Sequence, residues 1–249
     1  MDISSEILEN VKSGVYLVST MYPDIPQPIS HQPQLLLLED SIGTVELFPT
    51  IWKALEDLTR EDEEIRSTAL EQIAELDAAR ISPVVSYFLV TRIIEPNLNL
   101  RARVVEILSG VLTVDENGLP SPVDVRNSLR IYLATLRTRQ IYSLLQVSVD
   151  YPKLSSCVSL LLSACSFGGN HLVDILEERK NPLEIRKEAA QMIGDVGYLY
   201  TLPALEKIAG KLEAHLEGQR TMSFTNQSRT NEVELLPLIN NAIISLKFQ

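Results

Sequence analysis

The chain has 249 residues, 45 % of them apolar and only 10 of them glycine, which suits a helical protein better than a turn-rich β protein. Its 33 carboxylates against 22 lysines and arginines leave a net charge of −11, which argues against general nucleic-acid binding and against anionic membrane surfaces. No run approaches the ~20 apolar residues that a spanning helix needs, and no basic stretch leads into an apolar one at the N-terminus, so the chain reads as cytoplasmic without a secretory signal.

Residues 1–48 read as an N-terminal segment with a proline-rich arm. Ile7, Leu8, Val11 and Val15 have helical spacing, which Ser13-Gly14 weakens. Pro23, Pro26, Pro28 and Pro33 rule out regular helix or central strand over 22–34. Leu35 to Leu38 is a run of leucines that reads either as a cap over the exposed end of stacked helices or as a docking segment for another protein.

From Pro49 the spacing predicts nearly uninterrupted helix. Ile51, Leu55 and Leu58 make half of a helix pair, and helices follow over 62–76, 82–95 and 98–112. Residues 113–121 carry Asn117-Gly118 and Pro120, a turn. Pro122 restarts a helix that runs to Val149 or breaks near Thr138; Pro152 and Gly168-Gly169 punctuate the next pair. The clearest pair is Asn181 to Leu212. Ile185, Ala189, Ile193 and Val196 form its first stripe, Asn181 is the expected N-cap with Pro182 opening the helix, and Glu184 completes a capping box. Gly197 stops that helix, Leu202, Leu205 and Ile208 open the second one, and Ala189, Ala190 and Gly194 are expected to let the two approach closely. Residues 217–230 read as a polar linker, and 231–249 as a C-terminal capping helix through Leu235, Leu236, Ile239, Ile243 and Leu246.

The pattern recurs. Shifted by 120 residues, Ile65-Arg66 stands for Ile185-Arg186, Ala69 for Ala189, Ile73 for Ile193 and Pro83 for Pro203. Weaker copies begin at Leu100-Arg101 and at Leu154, giving steps of 35, 54 and 31 residues, the long one attributed to an insertion at 113–121. These residues resemble the HEAT-repeat family of the armadillo-type superfamily, over roughly residues 50 to 215. The resemblance implies an all-α, right-handed solenoid of stacked antiparallel helix pairs, about four to five repeats within 49–216. It does not single out a function, since such repeats serve scaffolds and a few enzymes.

The chemistry expected of an enzyme is not in evidence. His31, His171 and His215 lack metal-ligand spacing. Gly168-Gly169 has no following lysine with serine or threonine and reads as a helix–helix turn, and Cys157 and Cys165 read as core residues of one helix. Asn226-Gln227-Ser228 matches a glycosylation acceptor that a cytoplasmic chain would not use. Asp57, Glu61, Asp62, Glu63 and Glu64 read as a helix-capping and solubility cluster. No catalytic residue, metal or cofactor is therefore expected. One cluster stands out: Arg126, Arg130 and Arg137, at i, i+4 and i+11 beside the stripe of Val125, Leu129, Leu133 and Leu136. It reads either as a solvated face with local salt bridges or as a binding surface on the second, concave-lining helix of a pair.

The leading expectation is a non-catalytic scaffold or adaptor that binds a protein or peptide, with the arginines meeting an acidic segment. The alternatives are an enzyme on the same fold or a structural subunit of a larger assembly. Among the enzymes that the resemblance brings in, chromophore lyases of the phycobilin type come first. Alkylation-repair DNA glycosylases fit less well, since they use a basic, aromatic-lined face and the single tryptophan here, Trp52, lies in the first half-pair.

Overall fold

The structure, a computed structural model, describes residues 49–115, 117–220 and 228–248, except the side chains of 215, 217–220 and 228–232. Among the described residues it is all-helical and without strands, with one isolated bridge between Val114 and Pro120. The first helix, α1, covers 49–57. It is followed by α2 (Glu63–Glu75), the single turn α3 (Ala78–Ile81), α4 (Pro83–Thr91) and α5 (Leu98–Leu112). Next come α6 (Val123–Ala134), α7 (Thr138–Asp150), α8 (Ser155–Ser163) and α9 (Gly168–Glu177). The last three are α10 (Leu183–Val196), α11 (Leu202–Arg220) and α12 (Ser228–Lys247). Short 3₁₀ turns at Arg92–Ile94, Pro152–Leu154 and Leu199–Thr201 join neighbours. The N-terminal arm and Leu35 to Leu38 lie outside the described residues.

Helix contacts fall into two series. In one, α2 packs on α5, α5 on α8, α8 on α10 and α10 on α12; in the other, α4 packs on α6, and α7 on α9. Consecutive helices join the series, as α4 to α5, α7 to α8, α9 to α10 and α11 to α12. Most of these helices therefore bury a stripe against more than one neighbour. Ile185, Ala189 and Ile193 of α10 are buried, as are Leu205 and Ile208 of α11 and Leu235, Ile239, Ala242 and Leu246 of α12. Each buried branched side chain contributes about 1.5–3 kcal/mol from area alone.

The recurring arginine has a recurring task. In α2, α5 and α10 it stands four residues after the N-cap (Asp62, Asn97 and Pro182) and turns back onto carbonyls of the preceding turn or, for Arg186, of the end of the preceding helix. Arg66 Nη1 donates to the carbonyls of Arg60 (2.9 Å) and Glu61 (2.6 Å), and Nη2 to Glu95 Oε1 (2.8 Å). Arg101 donates from Nε and Nη2 to the carbonyl of Glu95 (2.9 and 2.7 Å) and from Nη1 to Gln146 Oε1 (2.6 Å). Arg186 Nε donates to the carbonyl of Leu176 at 2.8 Å. A guanidinium has five donors and no acceptor, so it can close several open carbonyls at once. The copy at Leu154 has Ser155 in that place and lacks the device.

Four expectations change. The N-cap of α10 is Pro182, because the Asn181 side chain turns away to donate to the carbonyl of Ile175. Gly194 does not serve the approach of α11: a Cβ there would lie 3.1 Å from Cα of Ala242, so it opens space for α12. The long 54-residue step contains a whole extra helix, α6, besides the 113–121 loop, which Asp115 and a positive-φ Gly118 turn and Arg80 pins through the carbonyls of Gly110 and Leu119. Helix also enters the range read as a linker from both sides, since α11 continues to Arg220 and α12 begins at Ser228. Gly197, by contrast, stops α10 in the left-handed conformation (φ 82°), as read from the sequence.

Candidate functional site

The side chains most suggestive of chemistry serve packing. Among the described residues no three histidines, cysteines or carboxylates gather to hold a metal. His171 Nδ1 meets Thr138 Oγ1 at 2.9 Å. Gly168 and Gly169 open α9 beneath two tyrosines. Tyr200 Oη accepts from the Gly169 N–H (2.9 Å) and donates to the carbonyl of Ser166 (3.0 Å), while Tyr198 Oη reaches the carbonyls of Leu162 (2.5 Å) and Cys165 (3.1 Å). Burial pushes the Tyr198 phenol up, and does the same to the Cys165 thiol. Cys165 lies just beyond the end of α8, not on it, and both cysteines are free. Asp62 is a helix cap, accepting from the N–H groups of Glu64 and Ile65. It lines a cleft of about 650 Å³ with Glu56, Arg60 and Glu61.

A second cleft, of about 610 Å³, lies between Glu71 of α2, Asn99 and Arg103 of α5, and Tyr151 and Lys153. Its guanidinium is already spent. Arg103 donates to Glu71 from Nε (3.0 Å) and Nη2 (2.8 Å) and to Glu106 from Nη1 (3.0 Å), and Tyr151 Oη is bonded to Asn99 Oδ1.

The arginines singled out from the sequence present the opposite case. They do not share one helix face: α6 ends at Ala134, and Arg137 is the extended N-cap of α7 (φ −116°, ψ 169°). The break arises because Leu136 turns into the core, closing α6 with a donation from its N–H to the carbonyl of Leu133. The Arg137 N–H then donates to Gln140 Oε1 (3.0 Å), which starts the next helix. Arg126 and Arg130 do share a flank of α6, beside the buried Val125, Leu129 and Leu133. Arg126 is half-buried with its Nε buried and without an acceptor; Arg130 and Arg137 are exposed. Among the described residues the local salt bridges that would make this a self-satisfied face do not form: none of the three pairs with a described carboxylate.

Two further arginines share this condition. Arg139, exposed on the first turn of α7, and Arg92, half-buried after α4, also lack an ion pair or side-chain hydrogen bond among the described residues. Arg60, Arg66, Arg80 and Arg103 all have carboxylate partners. The sequence did carry a signal for Arg139: no acidic residue occurs between Asp124 and Asp150, and no lysine between Lys53 and Lys153. It carried none for the aromatic surface alongside. There Tyr87 of α4 packs edge-on against Tyr132 of α6 (5.1 Å between ring centres) and against Phe88 (6.2 Å).

Comparison with protein-family models, with curated proteins and with solved structures yields no match. No helix among the described residues is long and apolar enough to cross a membrane.

Proposed function

We propose that the chain is a non-catalytic interaction module: a HEAT-like, right-handed α-solenoid of four to five stacked antiparallel helix pairs that offers its concave, second-helix surface to a protein partner. The partner carries an acidic segment, and Arg126, Arg130, Arg137 and Arg139 meet it. The observation that supports this most is that these guanidiniums have no partner among the described carboxylates in a chain of net charge −11. Arginine, unlike lysine, offers a planar fork suited to two-point contact with a carboxylate. The two contact series suit stacked pairs, whose extended surfaces favour peptides and proteins as ligands. The common anchoring of Arg66, Arg101 and Arg186 gives three of those pairs one internal plan. Nucleic acid and membrane are not partners in this reading, on charge grounds, and two free cysteines suit the cytoplasm.

The test compares wild type with a variant in which Arg130, Arg137 and Arg139 are changed to Glu, all three being exposed in the folded chain. Circular dichroism should be unchanged. A partner captured by the wild type from a lysate of the source cell should bind the variant at least about tenfold more weakly, about 1.4 kcal/mol. The wild-type complex should also weaken as salt is raised, since exposed charges are screened. Equal capture by both proteins would falsify the proposal.

A further inference from the structure

We infer that the segment bound at the arginine surface is an acidic amphipathic peptide, which seats apolar side chains on a shelf made by Val84, Tyr87 and Ile131 while its carboxylates meet Arg130, Arg137 and Arg139. This rests on the function proposed above and names the partner's chemistry. The exposed side of α6 carries two large apolar side chains among the polar Asp124, Asn127 and Arg130: Ile131 is 65 % exposed and Val123 62 %. The neighbouring helix α4 presents Val84 (51 %) and Tyr87 (49 %) one turn apart. The edge-on contact of Tyr87 with the half-buried Tyr132 joins these two helices, and Ile131 directly precedes Tyr132 in α6. Arg130 directly precedes Ile131 in the chain, and Arg137 and Arg139 follow at the start of α7. Exposed apolar side chains near guanidiniums that have no partner among the described carboxylates are complementary in charge and polarity to a segment that alternates acidic and apolar faces.

A second copy of the chain is the natural rival for an exposed apolar surface. A two-fold contact, however, would place the same arginine-rich patch on both sides and bring two sets of positive charges close together. Like charges facing each other across an interface are costly. An acidic peptide removes that cost and satisfies the guanidiniums at the same time.

The full-length chain can be titrated into fluorescently labelled peptides of about fifteen residues, followed by anisotropy. One peptide has leucine at helical i, i+3, i+4 and i+7 spacing with glutamate elsewhere; a second replaces the leucines by serine, and a third replaces the glutamates by lysine. The leucine–glutamate peptide should bind, and the other two should bind at least about tenfold more weakly. Changing Val84 and Ile131 to Ser, both more than half exposed, should weaken the leucine–glutamate peptide about tenfold and leave the serine–glutamate peptide unaffected. Changing Arg130 and Arg137 to Glu should weaken both. Equal binding of the two glutamate peptides overturns the shelf and leaves the arginine reading standing. Indifference of both peptides to the Arg130 and Arg137 changes overturns the arginine reading as well. Binding of no peptide also overturns the inference, as does a dimer in sedimentation that Ile131→Glu abolishes, which would give the shelf to a second copy.

Discussion

Arginine meets two fates in this chain, and the contrast separates the helix starts of α2, α5 and α10 from the junction of α6 with α7. At the first three, the guanidinium folds back onto carbonyls of the preceding turn or helix end, and Arg66 adds the carboxylate of Glu95, whose side chain is only 4 % exposed. At the junction, Arg130, Arg137 and Arg139 point outward in a stretch without acids, and no open carbonyl or described carboxylate engages them. The residue type is the same and the helical context is similar. What differs is the supply of acceptors, which depends on the connecting turns and on helices far away in sequence. The first group holds the fold together; the second leaves its donors available to another molecule.

The sharpest way to break this contrast is at Arg66. Arg66→Ala would strand the Glu95 carboxylate and the carbonyls of Arg60 and Glu61. Removing one partner of a fully buried pair costs about 3–5 kcal/mol, and for this partly buried one the loss should approach the lower end of that range, to be read from urea denaturation. Arg66→Lys should recover only part, because one ammonium cannot span two carbonyls and a carboxylate. Arg130→Ala should change stability by less than about 0.5 kcal/mol. Similar losses at both positions would remove the distinction.

Glycine offers the same contrast between inward and outward positions, with a smaller effect and opposite signs. A Cβ on Gly169 would lie 2.7 Å from Cγ2 of Thr201 and 2.9 Å from Cβ of Tyr198, so Gly169→Ala should cost about 1–3 kcal/mol. For a chain of this size that lowers the melting temperature by about 2–4 °C per kcal/mol. Gly210 lies inside α11 with nothing within 4 Å of such an atom, so Gly210→Ala should stabilise by about 0.5–1 kcal/mol through helix propensity. A loss at Gly210 equal to that at Gly169 would contradict the packing described for the tyrosine pair.

Glu188 tests what an inward charge does without a guanidinium. Burial pushes its carboxyl above the usual carboxylate range; a hydrogen bond from Ser148 (2.5 Å) opposes the shift, and Asp195 adds to it. A carboxyl raised in the folded state holds its proton more tightly there than in the unfolded chain. Its contribution is therefore present below the unfolded value, about 4.3 for glutamate, and is lost as pH rises through the folded one. Glu188→Gln should accordingly stabilise the protein at neutral pH, by an amount that shrinks as the pH approaches 4. Parallel urea midpoints for both proteins between about pH 4 and pH 8 would measure it. A gap that widens toward low pH would reverse the sign argued here.

The order of the helices, and the extent of some of them, were written locally in this chain. The reading of helix over 98–112 coincides with α5, Gly197 ends α10, and the arginine four residues after the N-cap recurs where the repeat places it. Such features depend on residues within a turn or two of one another, through side-chain periodicity, capping and the left-handed conformation that glycine tolerates. Tertiary structure decided what local pattern leaves undetermined. It placed the break after Ala134 by drawing Leu136 into the core, turned Asn181 to the carbonyl of Ile175, and set Gly194 against α12. It also determined which arginines are spent, since Arg101 finds Gln146 and Arg66 finds Glu95 across separations of 45 and 29 residues, while Arg130 finds no described carboxylate. A guanidinium's charge is a property of the sequence; whether it is already neutralised depends on which distant acceptors packing brings within hydrogen-bond reach.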